Sequence, residues 1–596
     1  MCGIIGFTFN NEELLLKGLG TIKHRGPDAN STYLDNCISL GHSLLSIRGE
    51  VAQSIQPIKE PNSDWLLAFN GQIYNLDHIK DLLLEDFSNE NLDTKILYEL
   101  IKVYEWDFID HIEGMYSIFL MNIQTEEIRL YRDSSGQKPL YYSYIDDNLF
   151  FSSEIKGLLS LGINKEIDFD HVSYFLHLGY LPGSKSIFKK INRLMPGEVL
   201  HFNKREGMPR IEKIDLFKKS IDDFSFSDIS EDLITLLNLH LQSKTKVSIN
   251  LSGGMDSASL LWAAEKSNKN INALTTRFLD APEEYNEEVS LASKLCKNLG
   301  IPHEILDISK EDFIDNFIEG YETLEEPNGN VAIPLYLITA KYHKQMNNTV
   351  VISGDGGDET WGGYKHHYES QKLDNRKFKF MNKFKLQNFI KRKTYLDLSN
   401  SKERYIYYRG SLSSFSRNKM TLLKGYFHDE FKFLDDIDEF KKLSITQQMF
   451  CLERLTWLAE ENFMRSDKIY MSQSIEVRAP LAFQVFRNNF SNKFPVNNLW
   501  SENYSKYPLR ASLNNKLMDE INWRKAKVGW KAPIQERWYD EDFKNLYMDI
   551  LPNENSANIQ WKDLRRFVEK SNNYPGKVIN YYISLAILKN TYNLDI

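Results

Sequence analysis

The sequence of 596 residues lacks the features that define several protein classes. Its four cysteines are scattered, without paired metal-ligand spacing, which excludes a disulfide framework and favours a reducing compartment. A net charge of −9 lacks the basic excess of a general nucleic-acid or membrane-surface binder. The sequence has no apolar run long enough to cross a bilayer and does not begin like a secretory leader. We therefore expect a cytoplasmic protein with no nucleic-acid or membrane partner.

The length predicts two or more domains, because a single core does not support 596 residues. Residues 1–205 carry short β-branched and aromatic runs split by Asn, Asp, Gly and Pro, such as Trp65–Phe69 before Asn70-Gly71. This region is predicted to be β-rich, with few helices, one of them over Asp93–Tyr104.

Residues 206–596 have a different sequence pattern, which predicts strands that alternate with helices. This alternation predicts an α/β nucleotide-binding domain that becomes mainly helical beyond about residue 365. The predicted strands and helices are Lys246–Leu251, Ala258–Lys266, Ile271–Phe278, Glu287–Leu299 and Thr349–Ile352.

The stretch from Lys372 to Lys393 is dense in lysine and arginine, with aromatic residues and a methionine between them. A nucleic-acid-binding segment is one interpretation. The apolar spacing of three and four residues favours the other, an amphipathic helix with a solvated basic face.

Removal of the initiator methionine would place Cys2 at the N-terminus, and the small side chain of the second residue permits that removal. Cys2 would then carry a thiol and an α-amine on one Cα, and an N-terminal amine can activate its own nucleophile. The run Gly3–Phe7 predicts a strand that holds Cys2 within a sheet. An inert, buried structural cysteine is the alternative.

A loop rich in glycine and serine lies between the first predicted strand and helix of the second region, where backbone N–H groups and the helix dipole can bind phosphates. It lacks the Gly-Lys-Ser/Thr of a Walker loop and resembles the pyrophosphate loop of ATP pyrophosphatases. A turn without ligand is the alternative. The predicted phosphate contacts are Leu251, Ser252, Gly253, Gly254, Asp256 and Ser257.

A second cluster of acids and glycines, Ser353 to Glu359, follows the third predicted strand. Carboxylates beside a phosphate loop need a hard cation between them, so Asp256 and Asp358 are the predicted Mg²⁺ ligands. A solvated turn is the alternative interpretation. Further along, Arg465 to Lys468 could supply a lysine that neutralises charge on the phosphates during adenylation, or a surface ion pair.

Taken together, these segments resemble the glutamine-hydrolysing asparagine synthetases, and the resemblance covers nearly the whole chain. It implies an α+β N-terminal-nucleophile sandwich with α/β/β/α layers, followed by an α/β adenine-nucleotide α-hydrolase-like domain with a helical C-terminal part. It also implies a possible homodimer. The segments that carry it are Cys2, Arg25–Asp28, Asn70–Asn75, Lys138–Tyr142, Ser152–Glu154, Pro196-Gly197, Ser252–Ser257, Glu326-Pro327, Gly354–Tyr364, Arg465–Arg478 and Lys527–Trp530.

The resemblance implies a catalytic role for five residues. Cys2 attacks the glutamine amide, and Asn70 with Gly71 forms the oxyanion hole. ATP adenylates a carboxylate, Lys468 stabilises that transition state, and Asp355 is the base as ammonia attacks the acyl-adenylate. Ammonia would cross an internal passage between the two sites. Further nucleotide contacts are implied at Thr276, Ser353 and Gly354, and glutamine contacts at Ser46, Ile47, Arg48, Asn70, Gly71, Gln72 and Asp93.

The glutamine site departs from the family pattern at two positions. Leu44 stands where relatives carry the arginine that holds the glutamine α-carboxylate, and Gln72 replaces a glutamate expected near the α-amine. Arg48 could substitute for the first, and Asp93 remains for the second. A rearranged glutamine site, a poor glutaminase that relies on free ammonia and an altered nitrogen donor are all open; the retained catalytic residues favour the first.

The synthetase half departs as well, at Ala479–Phe483 and at Asn328–Asn330, which lie near the acceptor in the family. Aspartate is the acceptor that the family implies, and another carboxylate, such as a sugar uronic acid of a surface polysaccharide, is the alternative. A non-catalytic binding module would have lost its catalytic residues, yet Cys2, Asp256 and Lys468 are all present.

Overall fold

The computed structural model describes residues 2–83, 87, 90, 92–213, 228–267, 270–279, 281–374, 396–410, 417–483, 496–501, 504–525 and 532–596. Most of the basic stretch Lys372–Lys393 and all of Lys527–Trp530 lie outside these residues.

The first 213 residues form two antiparallel sheets. One has the strand order β2-β3-β1-β8-β7-β9 and the other β11-β10-β6-β5-β4, with these strands: β1 (Cys2–Phe7), β2 (Ala29–Leu34), β3 (Ser39–Leu44), β4 (Trp65–Ile73), β5 (Gly114–Asn122), β6 (Glu127–Arg132), β7 (Tyr141–Ile145), β8 (Asn148–Ser152), β9 (Asn192–Arg193), β10 (Glu198–Phe202) and β11 (Arg210–Lys213).

Apolar side chains that alternate along the strands join the two sheets face to face. The rings of Phe151 on β8 and Phe119 on β5 stack at 5.0 Å, within one buried cluster that also holds Ile4. Helices cover both outer faces, which confirms the predicted α/β/β/α layers. They are α1 (Glu12–Thr21), α2 (Leu76–Leu82), α3 (Asp93–Tyr104), α4 (Ile155–Ser160) and α5 (Phe169–Leu178).

Strand β4 is longer than its sequence predicts. Asn70-Gly71, which resembles a turn in the sequence, pairs with Ser117 and Tyr116 of β5, and the strand continues to Ile73. The ladder with β5 therefore overrides the local turn preference. The last strand of this sheet, β11, lies past the predicted domain boundary at residue 205.

The second part of the chain is built on a parallel sheet with the order β14-β13-β12-β15-β16. The carboxyl ends of β12 and β15 lie side by side where the strand order reverses, which is where open α/β sheets bind ligands. The strands are β12 (Lys246–Asn250), β13 (Ile271–Phe278), β14 (His303–Ile308), β15 (Asn348–Ile352) and β16 (Glu476–Arg478), and a short hairpin consists of β17 (Trp500–Ser501) and β18 (Tyr504–Ser505).

Helices pack on this sheet and form the rest of the chain, so the helical C-terminal part is confirmed. Those before residue 375 are α6 (Ile229–His240), α7 (Met255–Lys266), α8 (Glu283–Leu299), α9 (Lys310–Asp315), α10 (Phe317–Leu324), α11 (Ile333–Gln345), α12 (Gly357–Trp361) and α13 (Lys365–Asp374). Later helices cover Ser401–Arg409, Arg417–Glu430, Asp438–Lys442, Ile445–Glu453, Met464–Met471, Tyr507–Ser512, Asp519–Asn522, Glu541–Ile550, Trp561–Lys570 and Lys577–Tyr592, with π-helical turns at Arg454–Phe463 and Ile534–Trp538. Within the described ranges, no helix combines the length and apolarity that crossing a membrane would need.

Candidate active site

Cys2 begins β1 at the edge of a buried pocket. It pairs across the sheet with Leu44 of β3 and is 6% exposed. Its backbone N–H donates to Asn70 Oδ1 at 2.8 Å, and its carbonyl accepts from Arg25 Nε at 3.1 Å. Burial raises the pKa of the Cys2 thiol. The sheet thus fixes the backbone of Cys2 while its side chain faces the pocket.

The pocket beside Cys2 is lined by nearly all the predicted glutamine contacts. Asn70 is not on the wall; it lies behind Cys2, and its Nδ2 donates to Ser117 Oγ at 3.2 Å. The predicted residues that line the pocket are Ser46, Ile47, Arg48, Gly71, Gln72 and Asp93.

This chain has Leu44 where relatives carry an arginine, but a different arginine lies in the same pocket. Leu44 lies on the pocket wall, and Arg48 lies on the same wall. Burial lowers the pKa of Arg48, although the nearby Asp93 carboxylate opposes this effect. Burial likewise raises the pKa of Asp93, against the influence of Arg48. The two groups therefore line one pocket and influence each other's charge.

Two further charged residues, which were not predicted to lie there, reach the same pocket from the second domain. Glu476 and Arg478 are two residues apart on β16, so both side chains lie on one face of that strand. Both line the pocket. Arg478 Nε donates to Glu476 Oε1 at 2.5 Å, and Nη1 donates to the carbonyl of Gln242 at 2.9 Å. Although burial would raise the pKa of Glu476, Arg478 beside it lowers that pKa to about 2.

A second, larger pocket opens at the carboxyl ends of β12 and β15. All the residues predicted to contact the nucleotide line it, and so do Asp355 and Asp358. The nucleotide set is Leu251, Ser252, Gly253, Gly254, Asp256, Ser257, Thr276, Ser353 and Gly354.

The loop between β12 and α7 is held open by its own serines. Ser257 Oγ accepts from the Ser252 N–H at 3.2 Å, and the Gly254 N–H donates to Ser252 Oγ at 3.3 Å. Gly253 has φ +73, and a Cβ there would lie 2.6 Å from the Glu288 carbonyl. This geometry places the N-terminus of α7 against the pocket, as phosphate binding requires.

The two predicted Mg²⁺ ligands both contact one lysine amine. Lys506 Nζ lies 2.6 Å from Asp358 Oδ1 and also contacts Asp256 Oδ2. The space between the carboxylates therefore accommodates positive charge, so this donor pair fits a hard cation. Lys506 was not predicted. Arg510, four residues further along, also lines the pocket. This spacing of two basic residues is the pattern in the sequence that could have predicted both.

Asp355 is held at the inner end of the second pocket. Ser353 Oγ donates to Asp355 Oδ2 at 2.7 Å, and Asn462 Nδ2 donates to Oδ1 at 3.1 Å. Burial raises the pKa of Asp355, and Arg465 opposes this. Arg465 lies 3.9 Å from the ring centre of Tyr336, also on the pocket wall.

The structure does not bring Lys468 to either pocket. Its Nζ donates to the Leu324 carbonyl at 2.8 Å and to Glu325 Oε2 at 2.9 Å, and the side chain is buried. A cation other than Lys468 must therefore stabilise the adenylation transition state. Among the described residues that line the second pocket, the basic ones are Arg465, Lys506, Arg510, Arg524 and Lys525.

The segments expected near the acceptor also lie outside the described wall of that pocket. The Ala479 N–H donates to Gln137 Oε1 at 3.3 Å, and the Ala482 carbonyl accepts from Ser135 Oγ at 2.8 Å, so this segment contacts the first domain. Asn330 Nδ2 donates to Glu461 Oε1 at 3.0 Å. Glu461 in turn pairs with Arg465, so Asn330 lies one layer behind the pocket.

Buried ion pairs connect the two domains elsewhere. Glu460 accepts from Arg132 Nη1 at 2.9 Å and from Arg193 Nη1 at 3.0 Å. Arg193 Nη2 also donates to Glu326 Oε1 at 2.7 Å. These four side chains are nearly inaccessible to water and hold the domains in one arrangement.

An N-terminal-nucleophile sandwich with a cysteine pocket, joined to a nucleotide-binding α/β domain with a phosphate loop, defines an ATP-dependent, glutamine-hydrolysing ligase. Two family models match the chain: a glutamine amidotransferase domain over residues 1–211 and asparagine synthase over residues 229–582. The chain belongs to the asparagine synthase family.

Curated relatives are similar over most or part of this chain. The asparagine synthetase [glutamine-hydrolyzing] 1 of Bacillus subtilis is 25% identical, over 92% of this chain and 90% of its own. The amidase chry2 of Gibberella zeae is 26% identical, over 59% of this chain and 55% of its own. A solved structure of the allosteric regulatory enzyme of purine biosynthesis aligns with 52% of this chain and 80% of its own, with 15% identity and a TM-score of 0.28.

Proposed function

We propose that the protein moves the amide nitrogen of glutamine onto a carboxylate that it has activated with ATP. The observation that carries this proposal is a strand shared by the two pockets. The Arg478 side chain lines the Cys2 pocket, while its carbonyl accepts from the N–H of Ser353, which lines the nucleotide pocket, at 2.9 Å. A nitrogen released at Cys2 is thus one strand away from the ATP site.

In the glutaminase half, the mature Cys2 amine takes the thiol proton and the sulfur attacks the glutamine amide carbon. Asn70 Oδ1 holds the Cys2 nitrogen, which orients the amine toward its own side chain. The Gly71 N–H, on the pocket wall, stabilises the oxyanion. The Asn70 amide, which the family would place in the oxyanion hole, bonds to the Cys2 nitrogen and to Ser117, so its contribution here is to position the nucleophile. Ammonia leaves, and water hydrolyses the glutamyl thioester to glutamate.

In the synthetase half, the acceptor carboxylate attacks the α-phosphorus of ATP, which gives an acyl-adenylate and pyrophosphate. The loop Ser252–Ser257 and the N-terminus of α7 hold the leaving phosphates. Lys506, Arg510 and Lys525 lie on the wall where negative charge builds up during this step. Ammonia then attacks the acyl carbon, Asp355 accepts the proton, and the amide and AMP are formed.

Mg²⁺ is the cation that we place with ATP, held by Asp256 and Asp358. The two carboxylates converge on one positively charged position, which suits Mg²⁺, an ion bound in proteins by one or two carboxylates together with substrate phosphates. When bound, Mg²⁺ would neutralise charge on the β- and γ-phosphates.

Aspartate is the first candidate acceptor, and asparagine the product. A second candidate is another carboxylate, such as a sugar uronic acid. The changed residues at 328–330 favour the second, because Asn330 supports Glu461 and through it Arg465, the cation on the wall near Asp355. An altered support can move this cation relative to the acceptor.

Pyrophosphate release tests the proposal and separates the two acceptors. The purified protein is incubated with ATP, Mg²⁺ and glutamine labelled with ¹⁵N in its amide, together with aspartate, a uronic acid or no acceptor. We expect acceptor-dependent pyrophosphate and AMP in equal amounts and ¹⁵N in the product amide. Release with a uronic acid and not with aspartate would replace the first acceptor by the second. No release with any carboxylate would overturn the proposed function.

A further inference from the structure

Recognition of free glutamine requires a cation for its α-carboxylate and an anion for its α-ammonium group. Leu44 supplies no charge, and Gln72 is neutral. In the first domain, Arg48 and Asp93 are the charged side chains among the described residues of the pocket. Each of these two groups favours the charged form of the other.

The second domain brings a second charged pair to the same wall. Arg478 is anchored by Nε on Glu476 and by Nη1 on the carbonyls of His240 and Gln242. Within the described chain, these bonds leave its Nη2 for a ligand. An arginine fixed at two of its nitrogens is pre-organised to bind a carboxylate with the third.

Gln72 is the second observation that points to a ligand. It is 2% exposed, and its Nε2 donates weakly, at 3.5 Å, to the Gln242 carbonyl that also accepts from Arg478. Its Oε1 is buried and has no hydrogen-bond partner among the described residues. A buried amide oxygen without a donor is costly, and an ammonium group from the ligand would satisfy it.

On the proposed function, in which glutamine is the nitrogen donor, we propose that Glu476 and Arg478 of the synthetase domain are specificity-determining residues of the glutamine pocket. Arg478, with Arg48, binds the α-carboxylate in place of the arginine missing at position 44. Glu476, with Asp93 and the Gln72 oxygen, binds the α-ammonium group. The complete site for glutamine therefore exists only when both domains are docked.

Strand β16 also connects this pocket to the ATP site. It pairs with β15, and the N–H of Ser353 at the end of β15 donates to the Arg478 carbonyl. Ser353 lines the nucleotide pocket, and its side chain donates to Asp355.

Substrates that lack one charged group test the assignment. Glutaminase activity without ATP is measured as ammonia release from glutamine, from 4-aminobutanamide, which lacks the α-carboxylate, and from glutaramate, which lacks the α-amine. For Arg478→Lys we expect kcat/KM for glutamine to fall roughly 10- to 100-fold, because a charge-assisted hydrogen bond is lost. Its kcat/KM for 4-aminobutanamide should change less than about threefold, because that contact is already absent.

Glu476→Gln should show the complementary pattern, a loss with glutamine and little change with glutaramate. Arg205→Lys, at an exposed arginine remote from both pockets, is the matched control. An equal loss with glutamine and with the truncated substrate in both variants would reduce these residues to structural supports and overturn the inference; so would unchanged kinetics. Failure of the proposed function is a separate outcome, in which the parent protein makes no AMP with ammonia and any acceptor.

Discussion

Glu460 is the residue whose loss should loosen the contact between the domains most. Its carboxylate accepts from Arg132 and Arg193, both of the first domain, at 2.9 and 3.0 Å. All three side chains are at most 2% exposed. Glu460→Gln keeps the shape of the side chain and removes one negative charge between two guanidinium groups.

The expected cost follows from the burial of the partners. In the parent protein two arginines face two carboxylates, Glu460 and Glu326, and the four charges balance. In the variant one positive charge is left without compensation in a dry interface. Removing one partner of a buried pair costs about 3–5 kcal/mol, far more than the fraction of a kcal/mol for an exposed pair.

Urea unfolding followed by intrinsic fluorescence measures this cost as a change in unfolding free energy. Glu541→Gln is the control, since that side chain is 76% exposed and lies 3.8 Å from Lys544; we expect a change within about 0.5 kcal/mol there. Glu460→Gln combined with Arg132→Met should recover part of the loss, because the surplus charge is removed. A loss below about 1 kcal/mol in the single variant would refute this account of the interface.

Three further predictions concern the two pockets and the pH. Cys2→Ala should abolish glutamine-supported amidation and leave ammonia-supported AMP formation; glutamine-supported turnover in this variant would remove Cys2 from the mechanism. Lys506→Met should tighten Mg²⁺ binding without ATP by about tenfold or more in calorimetry, because the lysine competes for Asp256 and Asp358, and weaker binding would contradict this. Burial lowers the pKa of His343 to about 3, so the folded state keeps it neutral and stability falls as the pH drops below about 6.5. His343→Gln should flatten this loss by about 1.4 kcal/mol per pH unit in urea unfolding at pH 7, 6 and 5; an unchanged slope would contradict it.

The elements with strong local patterns were predictable from the sequence. Helix Asp93–Tyr104 and strand Ile271–Phe278 have the bounds that their apolar spacing predicts. Helix α7 begins at Met255, three residues before its predicted start at Ala258, because the phosphate loop leads directly into the helix. Asn70-Gly71 was misleading, since the strand pairing across the sheet prevailed over the turn preference of these two residues.

What the sequence could not supply is contact between distant segments. Glu476 and Arg478 reach the Cys2 pocket from hundreds of residues along the chain, and no spacing rule predicts that contact. Lys468 was predicted to stabilise the adenylation transition state because it lies in a segment that resembles the family. Its direction on the helix turns it toward Glu325 instead.

Strand β16 is only three residues long and has one neighbouring strand, yet its side chains belong to the pocket of the other domain. The two halves are therefore not interchangeable parts. In a chimaera that joins this N-terminal domain to another synthetase domain, the graft would supply part of the wall around Cys2. Exchanging domains to change the acceptor should therefore preserve glutamine hydrolysis only where the graft has a glutamate and an arginine at the positions of Glu476 and Arg478.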